Sequence, residues 1–228
     1  MASNGSAGRV VSGSGDASRI AMRRQAALAE GSPDYLAKRS DLIKCAAAVF
    51  SEKGYNSATL NDVAARFGTD RASLYYYVGS KEELFQECIK GVLDDNLAAG
   101  QEIVDSSATS AEKLSQLVRV VLTSYQVHYP YMYLYIQEQM SRVASETAPW
   151  AKSMAGQTHR FEKLFLRILD EGVADGSFRS DLSLTLVVNA LFGMLNWTHR
   201  WYVPGRKYSA DDLARTFLAV FFDGIDRR

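Results

Sequence analysis

The sequence predicts an all-α fold, and three observations support this prediction. Its 228 residues include only four prolines, and long stretches are rich in the helix-forming residues Ala, Leu, Glu, Lys and Arg. Apolar residues make up 47% of the chain, which is enough to bury a core. These apolar residues recur at helical spacing, and no strong strand-like alternation is found.

The composition also limits the possible functions. No apolar run reaches the roughly 18 residues of a membrane helix, and the N-terminus lacks the apolar segment of a signal peptide, so a cytoplasmic location without a membrane partner is expected. The 26 basic and 26 acidic residues argue against a broadly basic surface. Cys45 and Cys88 are expected to be buried hydrophobic residues. Without a catalytic motif or clustered histidines, no enzymatic activity, catalytic residue, cofactor or metal is expected.

Residues 1–31 are expected to form a disordered tail, because Gly, Ser and Ala dominate and apolar residues are sparse. The tail contains four arginines: Arg9, Arg19, Arg23 and Arg24. They could contact nucleic-acid phosphates, or the tail could have no role.

The first two predicted helices have clear ends. Pro33 suits the first position of a helix, and Gly54 can end that helix in a left-handed conformation. Thr59 caps a short second helix, with Asp62 as its reciprocal partner, and Gly68 ends it.

A third helix is predicted from about Asp70 to about Val78, and a fourth begins at a capping box formed by Ser80 and Glu83. Two short helices joined by a tight glycine turn form a helix-turn-helix arrangement. Residues 32–90 are therefore predicted to be a helix-turn-helix domain.

Long helices are predicted through the remainder, residues 91–228. Their predicted ranges are 110–128 (capped by Ser110), an aromatic-rich stretch at 131–143, 148–174, 182–203 and 209–225 (capped by Ser209).

A spaced set of residues runs through the predicted helix-turn-helix: Ile43, Ala46, Ala47, Phe50, Gly54, Thr59, Val63, Ala64, Phe67, Gly68, Leu74, Tyr75, Tyr76, Tyr77, Ser80, Lys81, Glu82, Glu83 and Leu84. From about residue 38 to residue 89, this pattern resembles the DNA-binding domain of the TetR family of bacterial transcriptional regulators. Val78, where an aromatic residue is more usual, and the long N-terminal leader depart from the pattern.

The resemblance implies a ligand-responsive transcriptional regulator, acting as a repressor. Such a protein binds a palindromic double-stranded DNA operator as a homodimer and is released by a small-molecule effector. Residues 32–90 would form its DNA-binding domain, and residues 91–228 its effector-binding and dimerisation domain. The alternative is a helical adaptor without DNA binding, which would show no salt-sensitive affinity for duplex DNA.

The predicted DNA contacts cluster on and around the third helix, where Leu74 and Val78 are expected to face inward. The candidate residues are Thr59, Asn61, Arg71, Ser73, Tyr75, Tyr76, Tyr77 and Lys81. Arg71 can grip a guanine edge, and the tyrosine hydroxyls could donate to phosphates or the rings could only pack beneath the fourth helix. In the family the lysine that matches Lys81 holds a phosphate.

Mixed aromatic and polar residues between positions 125 and 165 indicate a ligand cavity, although an ordinary core can use the same residues. The candidate effector-binding residues are Tyr125, Tyr129, Tyr133, Gln137, Trp150, Arg160, Phe165 and Trp197. Residues 199–214 loosely resemble regulators of fatty-acid and steroid catabolism. That similarity suggests a lipid-like or acyl-CoA effector with Arg160 or Arg200 as anion partner; an aromatic compound or a drug is the alternative.

The last two helices are strongly apolar and are predicted to pair with a second copy of the chain. The expected contacts are Phe192, Leu195, Phe217, Val220 and Phe221. A monomeric core is the alternative.

Overall fold

The structure is a computed structural model that describes residues 13–130, 132–133, 135–136 and 149–225. Its main elements are α1 (Gly13–Glu30), α2 (Pro33–Lys53), α3 (Leu60–Phe67), α4 (Arg71–Leu74), α5 (Lys81–Asp105), α6 (Ser110–Val127), α7 (Pro149–Ala174), α8 (Leu184–Trp197), a 3-10 turn (Thr198–Arg200) and α9 (Ala210–Ile225). The all-α prediction is confirmed. Within the described ranges, each helix is too short or too polar to cross a membrane.

The prediction of a disordered tail is wrong for Gly13–Glu30, which forms α1. Gly and Ser dominate only the beginning of the tail, whereas its later part is rich in Ala and Arg, which favour helix. Two side chains of α1 also have partners: Ala27 is buried, and Arg24 Nη2 lies 3.6 Å from Glu83 Oε2. Residues 1–12 lie outside the described part of the chain.

The chain divides into two compact units. The first extends through Val49 and includes Ala58–Phe85; the second includes Phe50–Ser57 and continues from Gln86 to the C-terminus. The division falls inside α5, slightly before the predicted boundary after residue 90. Apolar periodicity does not change along a continuous helix, so the sequence carries no mark at this point.

The core of the first unit is formed by residues of α2, α3, α4, the start of α5 and the turn between α4 and α5. Its fully buried side chains include Leu42, Val63, Leu74, Val78 and Leu84. Burial of Leu74 and Val78 confirms the predicted inward face of the third helix.

The third helix is shorter than predicted, because α4 ends at Leu74. The following tyrosines form tight turns in which each amide bonds a carbonyl three residues earlier, as from Tyr77 N to Leu74 O at 2.9 Å. This tightening is common at helix ends.

In the second unit α6 packs against α7, α8 and α9. Its fully buried side chains include Leu114, Leu117, Leu122, Phe165, Ile168, Leu191 and Leu195. Ser209 caps α9 as predicted, because its Oγ accepts from Asp212 N at 3.1 Å. The prediction of Ser110 as the cap of α6 is wrong: Thr109 takes that role, and Ser110 Oγ donates to Asp175 Oδ2 at 3.2 Å.

An apolar face of α8 and α9 remains exposed in the single chain. Leu186, Val220 and Trp197 are 68%, 62% and 56% exposed. The small residues Ala190 and Gly193 lie between Leu186 and Trp197 on α8 and are also exposed. We call these five residues the α8–α9 face.

The α8–α9 face differs from the predicted set of subunit contacts. Leu195 and Phe221 are buried in the core of their own unit, Phe192 and Phe217 are half-buried, and Val220 is exposed. The prediction is therefore wrong for Leu195 and Phe221, whose helical phase turns them inward.

Candidate DNA interface and effector cavity

Reciprocal hydrogen bonds hold the start of α3. Asp62 N donates to Thr59 Oγ1 at 3.2 Å, and Thr59 N donates to Asp62 Oδ2 at 2.8 Å. At the other end Gly68 adopts φ +76°, where glycine is favoured. Both predicted caps are confirmed. The Thr59 hydroxyl also donates to Asp62 Oδ2, at 2.7 Å, so its proton is already engaged within the cap.

Asp70 holds the start of α4 in a similar way. Its two carboxylate oxygens accept from Ser73 N at 2.8 Å and from Ser73 Oγ at 2.9 Å. These hydrogen bonds from Ser73 hold the pKa of Asp70 below its usual range. A contact between Ser73 Oγ and DNA would therefore compete with its bond to Asp70.

Arg71 lies exposed on the first turn of α4 and is oriented by Tyr75 one turn later. Its Nε and Nη2 donate to Tyr75 Oη at 3.3 and 3.1 Å, and its guanidinium carbon lies 5.9 Å from the centre of that ring. The remaining N–H groups of the Arg71 guanidinium can donate to an acceptor that approaches the exposed side of α4.

The tyrosine turns after α4 are held from behind by Tyr35 on α2, which is 6% exposed. Its ring stacks on Tyr77 with centres 5.2 Å apart and meets Tyr76 edge-on at 5.3 Å. Its hydroxyl donates to Tyr76 O at 3.2 Å. Tyr75 and Tyr77 are half-buried and Tyr76 is exposed, so the tyrosines both pack and present polar edges.

The turn into α5 is tied by Ser80, Glu83 and Arg24. Ser80 Oγ accepts from Glu83 N at 3.0 Å, as predicted. Glu83 Oε2 does not return to Ser80: it accepts from Gly79 N at 2.8 Å and lies 3.6 Å from Arg24 Nη2. The Arg24 side chain is only 18% exposed. Its charge draws Glu83 to this side of the turn.

Lys81 is the first residue of α5, and its side chain is half-exposed. A helix N-terminus favours anions, because its first N–H groups are unpaired within the helix. Asn61 lies exposed on the first turn of α3. The first unit thus places all the predicted DNA-binding residues on or next to α3, α4 and the start of α5.

In the second unit a cavity of about 330 Å³ is lined by residues of α5, α6, α7 and α8 and by residues just after α6. Seven of its lining residues are apolar: Leu93, Val121, Met132, Ile136, Ala155, Phe161 and Phe192. The remaining lining residues are Asn96, Tyr125, Tyr135, Gln157, Thr158, His159, Glu162 and Asn196. Size and lining match those of a small-molecule site.

Hydrogen bonds fix several polar groups of this lining. Tyr125 Oη donates to Asn196 Oδ1 at 2.6 Å, and Asn96 Nδ2 donates to Ser124 Oγ at 3.0 Å. Burial raises the pKa of Tyr125, so this phenol stays protonated and can donate.

The predicted effector-binding residues are distributed more widely than this cavity. Tyr125 lines it, whereas Tyr129 and Tyr133 line a separate groove of about 220 Å³ that also includes Arg200 and Trp201. Tyr133 Oη donates there to Thr198 Oγ1 at 3.1 Å.

Three further predicted effector-binding residues, Phe165, Arg160 and Trp197, lie outside the described lining. Phe165 is fully buried, with ring centres 5.5 Å from Phe161 and 5.1 Å from Phe192, both of which line the cavity. Arg160 and Trp197 are exposed. Gln137 and the side chain of Trp150 lie outside the described residues.

Two family models match the chain. The model of bacterial regulatory proteins of the tetR family matches residues 42–88, from α2 into α5. The model of the tetracyclin repressor-like C-terminal domain matches residues 107–225, which is more than half of the chain.

Similar proteins agree with these matches. The HTH-type transcriptional repressor KstR2 of Mycobacterium tuberculosis is 31% identical over 190 residues, which cover 83% of this chain and 94% of that protein. KstR2 of Rhodococcus jostii is 31% identical over 82% of this chain and 91% of its own length. The solved structure of ketosteroid transcriptional regulator KstR2 of M. tuberculosis has a TM-score of 0.68 at 30% identity, covering 83% and 95% of the two chains.

More distant structures share the fold. FadR of Bacillus subtilis, solved in complex with stearoyl-CoA, has a TM-score of 0.64 at 20% identity, with 81% of this chain and 97% of that one covered. The predicted class of function, a helix-turn-helix transcriptional regulator, is confirmed by the family matches. The chain belongs to the TetR family of bacterial transcriptional regulators.

Proposed function

We propose that this protein is a cytoplasmic transcriptional repressor that binds a palindromic operator as a homodimer and is released by a largely apolar effector. The first unit contacts DNA, and the second unit binds both the effector and the partner subunit. The protein catalyses no reaction in this proposal. The name of its KstR2 relatives, transcriptional repressor, supports the direction of control.

The exposed first turn of α4 carries the proposal. Arg71, Ala72 and Ser73 are exposed, whereas Leu74 behind them is fully buried. Asp70 ties this turn at its start, and the Tyr35 contacts hold the residues that follow it. A short helix whose inner face is packed against the protein and whose outer face is exposed can place its N-terminal residues in the major groove. Arg71 is the base-reading residue, because its fork fits the O6 and N7 acceptors of guanine.

Phosphate contacts come from the residues that surround this turn: Thr59, Asn61, Ser73, Tyr75, Tyr76, Tyr77 and Lys81. Lys81 makes the strongest of them, since its ammonium group and the N-terminus of α5 favour the same anion. Each cationic phosphate contact adds about one unit to the salt dependence of binding.

Homodimerisation is supported by the α8–α9 face. Leu186, Trp197 and Val220 leave apolar surface in water, which is unfavourable for a monomer. Ala190 and Gly193 between them allow the α8 backbone to approach another helix closely. A two-fold pairing through this face would present two copies of α4 to two half-sites.

The cavity supports an effector with a bulky apolar body, such as a lipid or a sterol-like compound. Its described lining contains neither Lys nor Arg, so a charged group of the effector would lie outside the cavity. Arg160, exposed on α7 next to the lining residues His159 and Phe161, is the candidate partner of such a group. The KstR2 protein of M. tuberculosis is a ketosteroid transcriptional regulator, which supports a sterol-like body for the effector.

Selection from a random duplex library tests the proposal. We expect enriched sequences with two inverted half-sites roughly 34–36 Å apart, centre to centre, or a multiple of that distance. Two chains should bind each site, and affinity should fall steeply with salt. Enrichment of asymmetric single sites, or affinity that is independent of salt, would contradict the proposed operator binding.

A further inference from the structure

The side-chain amide of Gln157 stands out in the lining of the cavity. Gln157 lies on α7, is only 4% exposed and lines the cavity. Among the residues that the structure describes, no donor reaches its Oε1. Buried amide oxygens nearly always accept a hydrogen bond in native proteins, so this oxygen is a candidate acceptor for a ligand.

Asp94 on α5 fixes the orientation of this amide. Gln157 Nε2 donates to Asp94 Oδ1, and Lys90 Nζ lies 2.7 Å from Asp94 Oδ2. A carboxylate can only accept, so a reversed amide would place Gln157 Oε1 against a negatively charged oxygen. The amide nitrogen is therefore held toward Asp94, and Oε1 is left as an acceptor.

Other polar groups of the lining are paired with the protein. Tyr125 donates to Asn196 at 2.6 Å, Asn96 donates to Ser124, and Tyr135 and Thr158 share a hydrogen bond of 3.4 Å. Each of these side chains already has a partner within the protein. A ligand donor that reaches Gln157 Oε1 would bond to an atom that has none among the described residues.

We propose that Gln157 selects effectors that carry a hydroxyl or amide N–H on an otherwise apolar body, and that this donor bonds to Oε1. This inference rests on the proposed effector site and adds the chemistry that the site distinguishes. A ketone, ester or carboxylate on the same skeleton presents only acceptors, and its lone pairs would face those of Oε1. The cavity therefore prefers a donor-bearing ligand to its oxidised counterpart.

Calorimetric titration of the full chain with dodecanol and with a methyl ketone of equal chain length tests this preference. The two probes have the same apolar length, and only the alcohol can donate. We expect the alcohol to bind about tenfold more tightly, the value of one hydrogen bond. Gln157→Leu, which keeps side-chain volume but removes the acceptor, should bind both probes equally.

Asp94→Asn provides a second variant. The introduced amide can donate to Gln157, so the side-chain amide of Gln157 is no longer held in one orientation. The Asp94 side chain is 44% exposed, so this change should leave folding intact. The alcohol preference should fall in this variant too. If Gln157→Leu fails to fold by circular dichroism, Asp94→Asn decides the question by the same titration.

Two negative results have different meanings. Equal affinity of the unaltered protein for both probes, or a preference that survives in both variants, overturns the role of Gln157 and leaves the effector cavity standing. Failure of the unaltered protein to bind either probe overturns both the role of Gln157 and the proposed apolar effector site.

Discussion

In the first unit the two short helices α3 and α4 have tied ends, whereas in the second unit four helices surround a cavity. In the first unit Thr59 caps α3 and Asp70 caps α4. Each of these side chains accepts a hydrogen bond from the backbone N–H three residues later. In the second, the cavity needs residues from α5, α6, α7 and α8. The starts of α3 and α4 therefore depend on local bonds, whereas the cavity depends on helix packing.

Because of this difference, mutations in the two units should act in different ways. A change at the surface of α4 alters a contact without altering its support. In the proposed dimer, a change in the second unit can alter the arrangement of the two subunits, and with it the spacing of the two DNA contacts. Mutations that separate these roles are expected to differ in the size of their effect on operator binding and on stability.

The α8–α9 face should have the largest effect on operator binding, although it touches no DNA. Val220→Asp buries an unpaired charge if the face joins two subunits. We expect a monomer by sedimentation and a loss of operator affinity of about a hundredfold or more. Val127→Asp is the matched control, because Val127 is 60% exposed, close to the 62% of Val220, but lies on α6. A dimeric Val220→Asp protein would contradict the assigned interface.

Arg71 and Lys81 should separate base reading from phosphate binding within the first unit. Arg71→Ala removes a two-bond contact to a base and should weaken operator binding by about 10- to 100-fold while relaxing sequence preference. Lys81→Ala should weaken binding to all sequences alike and lower the salt slope by about one. Fluorescence anisotropy on operator and scrambled duplexes over a salt series measures both effects. An equal loss of preference from both changes would refute the assignment.

Two tyrosine hydroxyls allow a direct comparison of stability between the units. Tyr125→Phe removes the donor to Asn196 inside the cavity and should cost about 1–3 kcal/mol, because a buried acceptor loses its partner. Tyr35→Phe keeps the ring contacts but removes the bond to Tyr76 O, and should cost about 1 kcal/mol.

Urea unfolding of these two variants gives both free energies, and operator binding gives a second readout. Tyr35→Phe should also weaken DNA binding, since it loosens the support of the tyrosine turns. Tyr125→Phe should leave DNA binding in the absence of effector unchanged. The reverse pattern would show that the tyrosine turns do not depend on Tyr35.

Acid sensitivity at Asp70 should be the smallest effect. Bonds to Ser73 lower the pKa of Asp70 in the folded state. Its stabilising effect is therefore complete above the unfolded pKa of about 3.9 and is lost as pH falls through the lower folded value. Asp70→Asn keeps a capping oxygen but cannot titrate, so the variant should lose less stability between neutral and acidic pH.

Thermal melts over a pH series measure the acid effect. Asp41→Asn is the control, because Asp41 lies exposed on α2, 3.8 Å from Lys44. Identical acid profiles for Asp70→Asn and the unaltered protein would contradict the role of the cap.

Features of the first unit could be predicted from sequence where cause and effect are close along the chain. The Thr59–Asp62 pair, the Ser80 cap and the inward phase of Leu74 and Val78 all act within four residues. Tyr35 was missed because the residue it bonds, Tyr76, lies 41 positions away. No local pattern marks such a pair.

The effector cavity could be predicted as a class of site but not residue by residue. Tyr125 lines the cavity, whereas the side of α7 and α8 that faces the cavity depends on how the helices pack. Gln157 did leave a signal in the sequence. It occupies a position on the apolar stripe of α7 with Met154 and Phe161, where a polar residue needs a partner.

The turn at Gly79 has a consequence for how this scaffold can acquire new specificities. A Cβ atom at position 79 would lie 2.6 Å from both Arg24 Nη1 and Glu83 Oε2, so a side chain there would displace that ion pair. Positions 71 to 73 are exposed and take no part in this ion pair. Duplicated copies of the gene could diverge toward different control regions by exchanging side chains at those three positions, while Gly79 and the ion pair of Arg24 and Glu83 are kept.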